Sequence, residues 1–402
     1  MRNFVLLAAA AAAFAAPLCA QRAPATPRRP ALAAAADTNS AQAYLEFAQA
    51  NVATRPQIAR DAFYWASQIE PGSADALYGR YTAELMVDGL RLVDYWEGVR
   101  RVVRSPEVQR IDSLYFRALT MNPFLYRRYE TELFRAYMTA WYRKEIGSSE
   151  AGLDTWINRR VQSGSPALRA QDAYGKGNFD EALRLYDQAV RDARRKSWLR
   201  TERARLFAHV RNDSAAAGEF GRALADLRRE DQRDVVYLYE SKALLEFGMG
   251  QLHERMGEAD AAREAYGRAI AEDLAFYPAH VRLGMMAMAA GDTATAVSEM
   301  SLAAEGGAVE PTVNYAYATI LARAGRVDDA VTQLQSVIDR APFYADPYLV
   351  MGALRDGQGK PAEAAAAYRG FVQRAARNHP RLAAAQQRLQ ELEAAPASSD
   401  GR

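Results

Sequence analysis

Six alanines between residues 182 and 364 keep a 34-residue interval that is broken once. Ala262, Ala296, Ala330 and Ala364 stand 34 residues apart, and so do the earlier Ala182 and Ala216. Each opens the same frame of residues stepping by four and three: Ala182/Tyr186/Ala189, Ala216/Phe220/Ala223, Ala262/Tyr266/Ala269, Ala296/Met300/Ala303, Ala330/Leu334/Val337 and Ala364/Tyr368/Phe371. That spacing places them on one face of a helix. Five residues before the alanines stand Gly177, Arg211, Gly257, Gly291, Gly325 and Gly359. Glycine at five of these six is what a helix ending in a left-handed residue asks for. Twelve residues before the alanines are Ala170, Ala204, Gly250, Gly284, Ala318 and Gly352. Small residues there let a first helix pack closely on the second. Three series on one beat define a helix–turn–helix unit repeated six times.

These residues resemble the tetratricopeptide repeat family, whose unit has small, small, aromatic, small and proline positions in a 34-residue hairpin. Gly284, Gly291, Ala296, Met300 and Ala303 carry the match in the best copy, with methionine in the aromatic place, and Pro342 closes the next copy. The resemblance covers residues 163–378. It implies an all-α fold, a right-handed α-solenoid of antiparallel hairpins in about seven to eight units. Ala216 and Ala262 are 46 apart, so an insertion of 12 residues is expected near 227–240, where the charged LRREDQRD lies. Upstream, Ala59, Phe63, Ala66 and Pro71 repeat the frame over residues 40–73, with Phe47 in the small place. Ile111, Tyr115, Ala118 and Pro123 form a degenerate copy. The 18 extra residues between these copies are expected to lengthen the helices around VDYWEGVRRVVRS, within an N-terminal helical region of residues 40–162. Residues 379–394 read as a polar-faced helix capping the open end, as terminal repeats must. A disordered tail, 395–402, is expected after it.

The N-terminus is of another kind. Residues 1–20 read as a secretory signal, with Arg2 before an apolar run from Phe4 and small residues after it. Cleavage is expected after Ala20, with an uncleaved membrane anchor as the alternative. The one cysteine, Cys19, lies inside that segment, so the exported chain is expected to have no disulfide. Residues 21–39 are rich in proline and alanine and read as a tether. Export and the Ala/Arg-rich composition place the expected setting in a bacterial envelope, in the periplasm.

Chemistry is sparse. His209, His253, His280 and His379 have no metal-ligand spacing, and HER at residues 253–255 lacks the second histidine of a zinc protease. GQGKP and YGKGN lack the full phosphate-loop spacing and fall on turns between helices. No nucleophile–base pair is legible, so no catalytic residue, metal or cofactor is assigned. With 51 basic against 49 acidic residues, the charge gives no argument for nucleic acid.

Two surfaces are candidates. The first is the concave groove that the repeat resemblance implies, lined by one face of the first helices: Phe247, Gln251, Met285, Met288, Tyr315 and Thr319. Adaptable methionine and aromatic side chains suit an extended or helical protein segment. The second is the segment YRRYETELFRAYMTAWYRK, where Arg127, Arg128, Arg135 and Arg143 alternate with Tyr137 and Trp141. That mixture suits sugars, acidic peptides or lipid head groups. The expected function is a non-enzymatic protein- or peptide-binding scaffold. The alternative is an envelope enzyme or a glycan- or lipid-handling protein with its active region in 74–162, and self-association is a third expectation. Ala296→Asp is expected to destabilise the array by several kcal/mol, because charge and volume would enter a close helix contact. A thermal melt of that variant checks the repeat frame.

Overall fold

In a computed structural model the described residues are 26–87, 106–147, 152–231 and 241–394. The expected signal segment, the helix extension around residues 92–105 and the C-terminal tail lie outside them. Among the described residues are nineteen α-helices and no strand. The N-terminal region contributes α1 (Ala41–Asn51), α2 (Pro56–Ile69), α3 (Ala74–Val87), α4 (Pro106–Met121), α5 (Glu130–Glu145) and α6 (Leu153–Gln162). Six hairpins follow: α7 (Pro166–Gly175) with α8 (Phe179–Asp192), α9 (Ser197–His209) with α10 (Asp213–Asp231), and α11 (Lys242–Arg255) with α12 (Ala259–Glu272). They continue with α13 (Tyr277–Ala289) and α14 (Thr293–Gly306), α15 (Pro311–Arg323) and α16 (Val327–Arg340), and α17 (Asp346–Gly357) and α18 (Pro361–Arg374). The last helix, α19 (Leu382–Ala394), covers α18. The fold is an α-solenoid of antiparallel hairpins.

Each helix begins and ends for a local reason. Prolines at the first turn open α2, α7, α15 and α18, where the missing N–H has no partner to lose. Ser40 and Ser241 accept from the backbone of the first turns of α1 and α11. Every inter-helix turn of the six hairpins passes through a left-handed residue, with φ between 64° at Arg211 and 83° at Gly291. The following N–H bonds back five residues, as Glu258 does to His253 at 2.8 Å and Asn212 to Phe207 at 2.9 Å. This motif satisfies carbonyls that the helix end would otherwise leave open. Arg211 makes it too, without glycine's freedom.

The repeated face is the core. Ala216, Phe220 and Ala223, and likewise Ala262, Tyr266 and Ala269, are at most 1% exposed. Burying a ring such as Tyr266 contributes on the order of 1.5–3 kcal/mol. The small position opposite is a steric requirement: a Cβ on Gly250 would stand 2.4 Å from the Tyr266 ring. Part of the expected insertion is helical, since α10 runs 19 residues against 14 in α12.

The N-terminal region folds back along the array. Its order of contact is reversed, so that its later residues meet the earlier repeats. Tyr126 packs on Tyr174 of α7 at 5.1 Å between ring centres. Phe124 meets Phe220 of α10, and the Arg255 guanidinium of α11 lies 4.3 Å over its ring. Arg117 of α4 pairs with Glu310, just before α15, at 2.5 Å. Trp65 of α2 meets Phe343, just before α17, edge to face at 4.9 Å. At the end of α18 the Asn39 amide donates to the Gln373 carbonyl at 2.9 Å, and just beyond it the Arg377 N–H donates to the Asp37 carboxylate at 2.6 Å. Residues 26–39, expected as a bare tether, are docked by these bonds.

Arg211→Gly is expected to raise stability by about 0.5–1 kcal/mol, because it removes the side-chain cost of the left-handed turn. Gly250→Val is expected to lower it by about 1–3 kcal/mol through overpacking against Tyr266. Urea unfolding of the two variants beside the parent measures both.

Candidate ligand-binding surface

The first-helix face divides into a covered part and an open part. Phe247 on α11 is 2% exposed, its ring 5.7 Å from Tyr266 and 5.5 Å from Phe276. It belongs to the core shared with α1–α5, so no ligand reaches it. The expectation that Phe247 lines a groove is corrected by the fold-back, which the repeat pattern does not encode. Gln251, one turn on, is half-buried.

Farther along, the face opens. Met285 on α13 is 42% exposed, and its sulfur lies 3.7 Å from the Arg282 guanidinium. Arg282 also pairs with Glu254 of α11, which ties the two first helices together across the face. Met288 is half-buried against the Ala296, Met300 and Ile320 cluster. On α15, Tyr315 is half-buried, edge to face with Tyr344 at 5.3 Å. Burial and the nearby Asp346 carboxylate push its hydroxyl up to about 12. It therefore stays a neutral donor. Thr319 has a neighbouring place on α15, with its hydroxyl donated to the Ala316 carbonyl at 2.7 Å. The open part is amphipathic: an exposed methionine beside a fixed Arg–Glu pair, and a half-buried phenol on the next first helix.

The arginine- and tyrosine-rich segment splits as well. Arg127 was expected at the surface and is 7% exposed. It pairs with Glu130 at 3.4 Å and with Glu202 of α9, and donates to the Tyr115 hydroxyl at 3.3 Å. Glu202 is held in turn by Arg205 at 2.7 Å, and Arg205 donates to the Pro123 carbonyl at 3.1 Å. Tyr78 donates to Glu130 at 3.4 Å. Burial pulls the Arg127 guanidinium down, but Glu130 and Glu202 outweigh it and hold it well above the usual arginine range. Burial likewise pushes the Glu130 carboxyl up, against the pull of Arg127. Two cations and two anions meet here with no surplus charge, locking α5 to α9. Glu202 and Arg205 are the residues that sequence reasoning missed. Their signal is a Glu–Arg pair flanking the buried small position Ala204.

The remaining members stay near the surface. Arg128 reaches Asp75 at 3.5 Å and lies 5.7 Å from the Tyr126 ring centre. Arg135 pairs with Asp154 of α6. Trp141 stacks on Trp156 with ring centres 5.9 Å apart and planes 5° from parallel. Tyr137 packs into the clusters on both sides of α5, and Arg143 is exposed. Among the described residues, no group of His, Cys, Asp and Glu is placed to hold a metal ion, and no helix is long and apolar enough to cross a membrane.

No protein-family model matches the chain, and no curated protein does. Solved structures similar to it include YrrB, described as a TPR protein with an unusual peptide-binding site, at 16% identity and a TM-score of 0.39, covering 50% of this chain and 97% of that one. The C-terminal part of a TPR repeat-containing protein from Cytophaga hutchinsonii is similar at 14% identity and 0.43, covering 57% and 96%. PilW, a type IV pilus biogenesis factor, is similar at 17% identity and 0.40, covering 55% and 96%. In their 34-residue spacing, left-handed turns and hairpin packing, the repeats resemble the tetratricopeptide type.

Arg127→Met is expected to cost about 3–5 kcal/mol, because it leaves Glu130 and Glu202 buried without a counter-ion. Adding Glu202→Met is expected to return part of that loss, and a double-mutant cycle in urea reads the coupling.

Proposed function

We propose that this chain is an exported, non-enzymatic scaffold of the cell envelope that holds a protein or peptide segment against the first helices α13 and α15. One observation carries the reading. Met285 is 42% exposed on a face whose earlier position, Phe247, is sealed by the chain's own N-terminal region. An exposed methionine beside a fixed Arg282–Glu254 pair offers an adaptable apolar contact with a charged rim, the combination that receives an amphipathic segment. The periplasmic setting rests on the signal-like residues 1–20 and on nothing in the fold. The ionic cluster around Arg127 is read as a lock and not as catalytic machinery, because its charges cancel and its members are buried. A second reading, glycan or lipid binding on α5 and α6, has the Trp141–Trp156 stack in its favour, since such a flat aromatic platform suits sugar rings.

The test is a crosslinking pull-down from envelope extract with residues 21–402, beside a Met285→Glu/Tyr315→Ala variant of the same chain. A partner captured by the parent and lost by the folded variant is the expected result. Equal capture by both sinks the α13–α15 site, and retention of glycan or lipid instead moves the site to α5 and α6.

A further inference from the structure

Residues 26–33, TPRRPALA, form neither helix nor strand. Pro27 and Pro30 hold their own φ near about −65° and favour an extended course. The segment lies on α1 and α2. The Trp65 indole N–H donates to the Pro27 carbonyl at 3.1 Å. The Arg29 guanidinium lies 4.9 Å from the Trp65 ring centre and 5.4 Å from that of Tyr44. Arg29 also donates to the Thr38 carbonyl, and Leu32 packs on the apolar core. An indole N–H on the carbonyl of a proline-flanked extended segment, with a cation on the ring face, is how aromatic surfaces read proline- and arginine-containing peptides.

The resident segment fits incompletely. Arg29 Nε and the Tyr44 hydroxyl are buried without a hydrogen-bond partner. Unpaired buried donors weaken an occupant relative to one that pairs them. We infer that the Trp65/Tyr44 face is a peptide site for an extended Arg-Pro segment of a partner protein, with residues 26–33 as its built-in occupant. Tethering presents that occupant at a local concentration on the order of millimolar, so a partner must outcompete it or find it displaced. The site is separate from the Met285 face, so failure of one reading leaves the other standing.

Fluorescence anisotropy of a dye-labelled TPRRPALA peptide, titrated with the full chain, tests the assignment. The Arg29→Ala chain is expected to bind the peptide at least roughly tenfold more tightly than the parent, because its own occupant is weakened. Adding Trp65→Phe, which keeps a ring and deletes the N–H, is expected to abolish that gain. A peptide whose second arginine is replaced by alanine is expected to bind poorly, and this arm leaves the protein's fold untouched. No binding by the Arg29→Ala chain up to about 1 mM overturns the inference, as does binding indifferent to Trp65→Phe or to the altered peptide. Sedimentation of the parent supplies the last outcome: a concentration-dependent dimer lost with Arg29→Ala assigns the site to a second copy and overturns a separate partner.

Discussion

The approach of the Tyr266 ring to the backbone of Gly250 is the contact from which the array is assembled. It brings the two helices of a hairpin together until one of them has no room for a side chain. The ring then covers backbone and neighbouring alanines at once, and the hairpin presents a smooth apolar flank to the next. Close packing of this kind is intolerant of added volume, which is why the small position persists whenever a large residue faces it. Across the six hairpins alanine is the largest residue found in the small position, at 170, 204 and 318, and it is fully buried at each. The left-handed turn between the two helices sets the angle at which the contact forms.

On this frame the N-terminal region is laid as a second layer. Its anchoring is uneven. Near α7–α11 it is held by buried rings and by the Arg127–Glu202–Arg205 cluster, whose charges are all compensated inside the protein. Toward α15–α19 it is held by the Arg117–Glu310 pair, by hydrogen bonds at the rim, such as those of Asn39, and by the Trp65–Phe343 contact. Desolvated charge pairs resist separation because breaking one strands the other. Rim contacts lose less, since water replaces them. The same layering covers Phe247 and leaves Met285 open, so the surface proposed to bind a partner is a by-product of where the second layer ends.

The repeat frame was legible in the sequence because it is local. Ala262, Tyr266 and Ala269 announce a helix face by spacing alone, and Gly257 and its equivalents announce the turn. Even Arg211, which breaks the glycine series, was found in its register, and its φ of 64° shows the turn geometry overriding residue preference. What could not be read was long-range. Nothing about Phe124 or Trp65 states which distant repeat they will meet. Phe247 carries the same periodicity whether its outer side faces water or another helix. Arg127 illustrates the point from the other direction: in an alternating Arg/Tyr segment it looks like surface, and the neighbouring Glu130 together with a carboxylate 75 residues away at Glu202 makes its burial tolerable.

An ordinary repeat array has two free ends, and its hairpins can open one after another from either of them, because each touches only its neighbours. Here Asp37 is bonded to Arg377, 340 residues along the chain. That bond ties the first described residues to the last hairpin and turns a row into a closed circuit. Fraying of α17 and α18 then disturbs α2, and loosening of α2 disturbs the repeats beyond α15. Such a molecule is expected to melt as one body where an open array would melt in stages, and to fold more slowly, since its circuit closes only after the C-terminal repeats exist.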